Sequence, residues 1–130
     1  MRLKVLLLCE DVRFEVAGTF SIIGVLGERI TVAAPDGEIV FSKLSFLAVL
    51  GGLRGVEELA FRQWIRNDDT SPTTELRVEP HDPTTDEHNF VWTQSPMVFP
   101  GVGTYEIGID VEVAGRRVTY RYPFAIERRS

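Results

Sequence analysis

Apolar and polar residues alternate with a period of two along most of this chain, most cleanly near its end. In GTYEIGIDVEVAGRRVTYRYPF, Tyr105, Ile107, Ile109, Val111 and Val113 alternate with Glu106, Gly108, Asp110 and Glu112. Beyond Ala114-Gly115 the pattern resumes with Val118, Tyr120, Tyr122 and Phe124. Successive strand side chains point to opposite faces, so this spacing predicts two strands, each burying one face. The first apolar set lies at odd positions and the second at even ones. They share a face only across an even-numbered loop, which Ala114-Gly115 supplies as a two-residue turn. That register sets Val111 opposite Val118, Ile109 opposite Tyr120 and Ile107 opposite Tyr122, with Glu112 and Arg117 as a cross-strand ion pair on the outer face.

A second hairpin is predicted at the opening. Val12, Phe14 and Val16 share one face with Phe20 and Ile22, all at even positions, so a common core face needs an odd loop such as Ala17-Gly18-Thr19. A two-residue Ala17-Gly18 turn would instead set Arg13 beside Ile22. Either way Asp11, Arg13 and Glu15 lie together on the opposite face. Further strands are expected near 3–9, 28–33, 43–50, 56–66, 74–79 and 88–94. They are divided by APDG at 34–37, LGGLRG at 50–55 and NDDTSP at 67–72. Val56, Leu59, Ala60 and Ile65 also fit a helical face, but the alternation of Leu59, Phe61 and Ile65, with Gln63 the one lapse, and the aromatic content favour a strand. Many short strands with turn signals between them predict an all-β fold: a single antiparallel β-sandwich, immunoglobulin-like or Greek-key, of about eight strands with little or no helix. No linker, repeat or composition shift divides the chain, so 1–130 reads as one domain.

Charge narrows the partners. Fourteen Lys and Arg against nineteen Asp and Glu give a formal net charge of -5, and no basic cluster is longer than Arg128-Arg129, which argues against nucleic acid and anionic membrane. Cys9 is the single cysteine, so no internal disulfide or thiolate cluster forms within one chain, and a cytoplasmic location is expected. MRLKVLLLCED imitates a secretion signal, but its apolar run ends at Glu10-Asp11, short of the ~7–15 residues of a signal core. The run is read as a buried first strand.

Candidate chemistry is sparse. The sequence contains no nucleophile elbow, no Gly-rich loop leading from strand to helix and no H-E-x-x-H, so no catalytic set is expected and no cofactor is implied. The best metal candidate is EPHDPTTDEHNF, where His81, Asp82, Asp86, Glu87 and His88, beside Glu79, offer oxygen and imidazole donors for calcium or zinc. Asp68 and Asp69 join that loop if the topology gathers the two at one end. Prolines and threonines in the same stretch also suit a plain solvated connection. Tyr105, following FPGVG, is expected to lock a tyrosine corner through its hydroxyl. Trp64 and Trp92, each among apolar neighbours, are expected in the core rather than on an exposed stacking platform.

The charge knot Glu10, Asp11, Arg13 and Glu15 is the candidate partner-binding surface, weighed against an ordinary outward strand face on which Arg13 neutralises its neighbours. The surrounding residues carry a resemblance. Cys9, Glu10, Asp11, Val12, Arg13, Glu15, Gly18 and IIGV at 22–25, with LSFLAVL at 44–50 and the late FPGVGTYEIGIDVEVAG, resemble a family of small, uncharacterised bacterial and phage-associated proteins. Ala17 stands where that pattern has Asn before the turn glycine. The resemblance implies a β-sandwich and brings no activity with it. The expectation is a non-catalytic binding or assembly module that meets a protein partner or a second copy through a sheet face or edge strand. The alternative is a metal-dependent ligand-binding sandwich using the 79–88 loop.

Overall fold

The computed structural model describes residues 1–14, 20–33, 37–66 and 76–129. Among the described residues the chain forms eleven strands and no helix: β1 (Arg2–Phe14), β2 (Phe20–Leu26), β3 (Arg29–Val32), β4 (Ile39–Phe41), β5 (Leu44–Gly51), β6 (Glu58–Arg66), β7 (Arg77–Pro80), β8 (His88–Gln94), β9 (Met97–Phe99), β10 (Gly103–Val113) and β11 (Arg116–Arg128). The segment at 56–66 is thus a strand. The count exceeds the expected eight in part because the short strands β4 and β9, which were not expected, pair into a ribbon of their own.

Two sheets carry the fold, one ordered β2-β1-β5-β8 and the other β3-β11-β10-β6-β7. One departure from the antiparallel expectation is β3, which runs parallel to β11 with Ile30 beside Ile126. Leu8, Phe46, Ala48, Leu50 and Phe90 of the first sheet and Leu59, Phe61, Ile107, Ile109, Val111, Phe124 and Ile126 of the second form a single buried cluster between the sheets. Burial on one face per sheet is what the alternation requires. Strand β5 is the exception, buried at all eight positions, since Ser45, Leu47 and Val49 are covered on the far side as well. Phe61 is central to the core, stacked on Phe90 with ring centroids 4.4 Å apart.

The late hairpin has the predicted register, with Val111 opposite Val118, Ile109 opposite Tyr120 and Ile107 opposite Tyr122. Its turn places Ala114 at φ 50° and Gly115 at φ 79°, the left-handed pair of a type I′ connection. The predicted ion pair does not form as expected. Arg117 faces Glu112 in register, yet its guanidinium reaches diagonally to Asp110 Oδ2 at 2.6 Å, while Thr119 donates to Asp110 Oδ1. Tyr105 donates its hydroxyl to the Gly101 carbonyl at 2.6 Å, so the corner closes as anticipated.

The two tryptophans part company. Trp92 packs against the core, whereas Trp64 lies on the outer face of the second sheet, flat over Gly108. A side chain at Gly108 would occupy the place of the indole, so the glycine supplies the seat: a Cβ built there falls 1.9 Å from Trp64 Cζ2. Arg66 and Arg121 flank the ring at 5.0 and 5.9 Å from its centroid.

Candidate functional site

The charge knot sits where β1 leaves the sheet. Strand β1 pairs with β5 from Arg2 to Cys9 and with β2 from Leu8 to Phe14. Its last residues and their β2 partners therefore run on as a two-stranded ribbon beyond β5. Within the ribbon Asp11 faces Ile23, Val12 faces Ile22 and Arg13 faces Ser21. Even positions thus oppose even ones, as an odd loop demands, and the alternative that set Arg13 beside Ile22 is excluded. Glu15 and the Ala17-Gly18-Thr19 loop lie outside the described residues, as do Asp68, Asp69 and positions 34–36 of APDG.

Of the four knot residues, the structure brings Asp11 and Arg13 together, with Arg13 Nε 3.4 Å from Asp11 Oδ2. It adds a cation that local spacing did not suggest: Lys43 Nζ lies 2.7 Å from Asp11 Oδ1. The pairing of Cys9 with Ser45, continued two residues along, carries Asp11 to Lys43, so this contact is a product of long-range register. The hydrogen bond from Lys43 holds the Asp11 carboxyl below its usual range. Glu10 is separated from this group. It lies across Gly24, where a Cβ would fall 2.6 Å from Glu10 Cδ, and Gly24 itself has φ 66°, so glycine is required there on both counts. Cys9 is buried beside the knot, and burial pushes its thiol up, which leaves it a poor nucleophile.

The tip of the ribbon's other face is apolar, beyond the exposed Glu10, which lies on that face opposite Gly24. Val12 and Ile22 are cross-strand partners there and Phe14 follows two residues on; Phe14 is 69% and Ile22 37% exposed. On this face Leu8 belongs to the core and Leu6 packs against it, and past the point where β5 ends Glu10 separates that core stripe from Val12 and Phe14. Beyond it, β2 is the edge strand of its sheet, and Phe20-Ser21-Ile22-Ile23-Gly24-Val25-Leu26 contains no charge and no proline.

The acidic-histidine loop is organised differently from the sequence expectation. It bridges β7 and β8, the edge strands of the two sheets on one side of the sandwich. Glu79 is opposite Leu59, and His88 opposite Leu50, so both side chains point between the sheets. His88 Nε2 is 2.8 Å from Glu79 Oε1, and His88 Nδ1 is 3.1 Å from His81 Nδ1. Phe61 stacks on His88 at 5.6 Å. The remaining carboxylates have other partners. Asp82 accepts from the Thr84 backbone N–H and hydroxyl, which hold its carboxyl below the usual range. Asp86 Oδ1 accepts from the Gly52 N–H at 3.1 Å, and Glu87 pairs with Lys4. The loop is also stitched to the β5–β6 connection by Leu53 N–H to Asp86 O, Gly55 N–H to Pro83 O and Arg54 to Thr84 O. The five expected ligands therefore do not converge. Only the two imidazoles meet, and no group of three or more His, Cys, Asp or Glu among the described residues is arranged around a common metal position.

Two depressions bear on small-molecule chemistry. One of about 190 Å³ lies over Ala60, Arg62, Asp110 and Arg117, and one of about 170 Å³ lies by Leu53, Val56, Val113 and Val118. Both are below the ~300–1,000 Å³ of typical ligand pockets. No helix among the described residues is long and apolar enough to cross a membrane. Comparison with known proteins finds no matching family model and no significantly similar curated protein.

Proposed function

We propose that this chain is a non-catalytic, cytoplasmic binding or assembly module, and that the β1–β2 ribbon is the part that docks. The observation that carries the reading is the ribbon's divided character. Lys43 and Arg13 both pair with Asp11, which makes the knot a brace at the ribbon's base, while the opposite face, beyond Glu10, presents Val12, Ile22 and the largely exposed Phe14 next to an uncharged edge strand. A two-stranded ribbon is marginal alone, and an apolar edge strand is a template for another chain. Docking onto an apolar groove or adding a strand to β2 satisfies both conditions, and a second copy is the simplest partner.

The test compares wild type with Ile22→Lys by sedimentation velocity over a range of concentrations and by affinity capture from the source lysate. The expected outcome is a wild type that self-associates, or retains a specific protein, and a folded variant that does neither. A wild type that stays monomeric throughout and captures nothing ends the proposal. The brace is tested separately with Asp11→Ala, which should loosen the ribbon without creating or removing a binding face.

A further inference from the structure

The imidazoles of His81 and His88 hold an arrangement of protons that their surroundings dictate. Thr85 Oγ1 donates its one hydrogen to the Asp82 carbonyl at 2.8 Å. It is therefore not a donor to His81 Nε2, which lies 3.1 Å from the Thr85 carbonyl and 3.4 Å from that hydroxyl. Both oxygens accept, so His81 carries its hydrogen on Nε2. The same holds for His88, whose Nε2 is 2.8 Å from a Glu79 carboxylate oxygen while Arg77 lies 3.8 Å from the other oxygen. With both Nε2 atoms protonated, both Nδ1 atoms present lone pairs, and these face each other across 3.1 Å. Two lone pairs at that separation repel unless a cation lies between or beside them. A single proton meets the need by making an imidazole–imidazolium hydrogen bond. A metal ion meets it too.

Three features favour the metal. Ligating histidines almost always donate their second ring N–H to a carboxylate or a backbone carbonyl, and here one donates to Glu79 and the other to the Thr85 carbonyl. Two bonds of about 2.0–2.1 Å at a tetrahedral angle separate their nitrogens by roughly 3.3 Å, within a few tenths of an ångström of the spacing observed. The pair also lies between the edge strands β7 and β8 of the two sheets, with His88 less deeply buried than His81. We propose that His81 and His88 bind one divalent transition-metal ion of the zinc class through their Nδ1 atoms, with Glu79 and the Thr85 carbonyl as positioning groups. Imidazole selects zinc, copper, nickel or cobalt over calcium, and Asp82, Asp86 and Glu87 are not ligands. The site is remote in the fold from the docking ribbon and stands or falls independently of it.

The experiment titrates the metal-free full chain with Zn²⁺ by calorimetry and with Co²⁺ by visible absorption, then repeats both with Ca²⁺ as a control and with His88→Gln and Glu79→Gln. One Zn²⁺ per chain is expected, with a Co²⁺ ligand-field band, no response to Ca²⁺, loss of binding in His88→Gln and a 10–100-fold weaker affinity in Glu79→Gln. Should His88→Gln fail to fold, ¹⁵N-imidazole spectra of wild type decide: Zn²⁺ must move the Nδ1 resonances of both histidines and leave both Nε2 atoms protonated. Absence of binding at millimolar Zn²⁺, binding that His88→Gln retains, or spectra in which only a proton is shared between the rings overturns the proposal.

Discussion

Tyr105 near the start of β10 and Gly108 at its middle are each fixed by a different physical means. At Gly108 the requirement is space, because the Trp64 indole occupies the volume that a methyl group would take. Gly108→Ala forces the indole off its seat and away from Arg66, and overpacking of this kind costs about 1–3 kcal/mol. Urea unfolding followed by tryptophan fluorescence reads both effects: a lower midpoint, and a native emission shifted to the red as Trp64 gains solvent. An unchanged native spectrum would mean that the indole is not held by this contact. At Tyr105 the requirement is a hydrogen bond, since the ring is buried among Phe99 and Phe124 and its hydroxyl reaches the Gly101 carbonyl. Tyr105→Phe keeps the packing and leaves that carbonyl without its donor, so a loss of about 1–2 kcal/mol is expected by the same measurement.

The 81–87 connection behaves as a staple between two loops, because it supplies the acceptors for backbone donors of the β5–β6 connection. Asp86 serves twice, its carboxylate accepting from Gly52 and its carbonyl from Leu53. Asp86→Ala removes the first and leaves the second, so it should cost about 1 kcal/mol and speed hydrogen exchange most at Gly52, Leu53 and Gly55. Exchange accelerated equally throughout the chain would show global loss rather than a released staple. The same segment shows why the site was only partly legible in the sequence. The late hairpin could be read residue by residue because its register is set by a two-residue turn and by alternation within twenty-two positions. Strand β7 inverts the usual alternation: Arg77 and Glu79 point between the sheets while Val78 is exposed, because an edge strand facing the other sheet's edge is bridged by polar groups. Arg77 does this through the Val91 carbonyl and Glu79 through His88. Nothing in the local pattern distinguishes such a bridge from an outward face. The Asp11–Lys43 pair was hidden for a related reason, since it depends on the β1–β5 register, and the three-residue strands β4 and β9 are too short to show a period.

Acid and base should destabilise the whole molecule through different residues, with a plateau between. Three carboxylates have folded values below their ordinary range, each for a local reason. Asp11 has the Lys43 hydrogen bond, and Asp82 has the Thr84 donors. At Asp110 partial burial works upward, but the bonds from Thr119 and Arg117 outweigh it. A depressed folded value means that the unfolded chain takes up protons first, near pH 4, so the stability these groups add is complete above about pH 4 and is lost as pH falls through the lowered folded values. The opposite limb belongs to Cys9, Tyr105, Tyr120 and Tyr122, all raised, with burial the leading cause in each. Their contribution is complete below the unfolded values, about 8.5 for the thiol and about 10 for the phenols, and is lost as pH rises through the raised folded values. Urea unfolding across the pH range should therefore give a flat maximum with a shoulder on each side. Asp110→Asn should flatten the acid limb without moving the alkaline one, and Cys9→Ala should delay the onset of the alkaline limb. The two substitutions lie on different sheets and share no contact, so their effects should add in the double variant. An acid limb that Asp110→Asn leaves untouched would assign it to Asp11 and Asp82, and so to the ribbon brace and the loop rather than to the outer face of the second sheet.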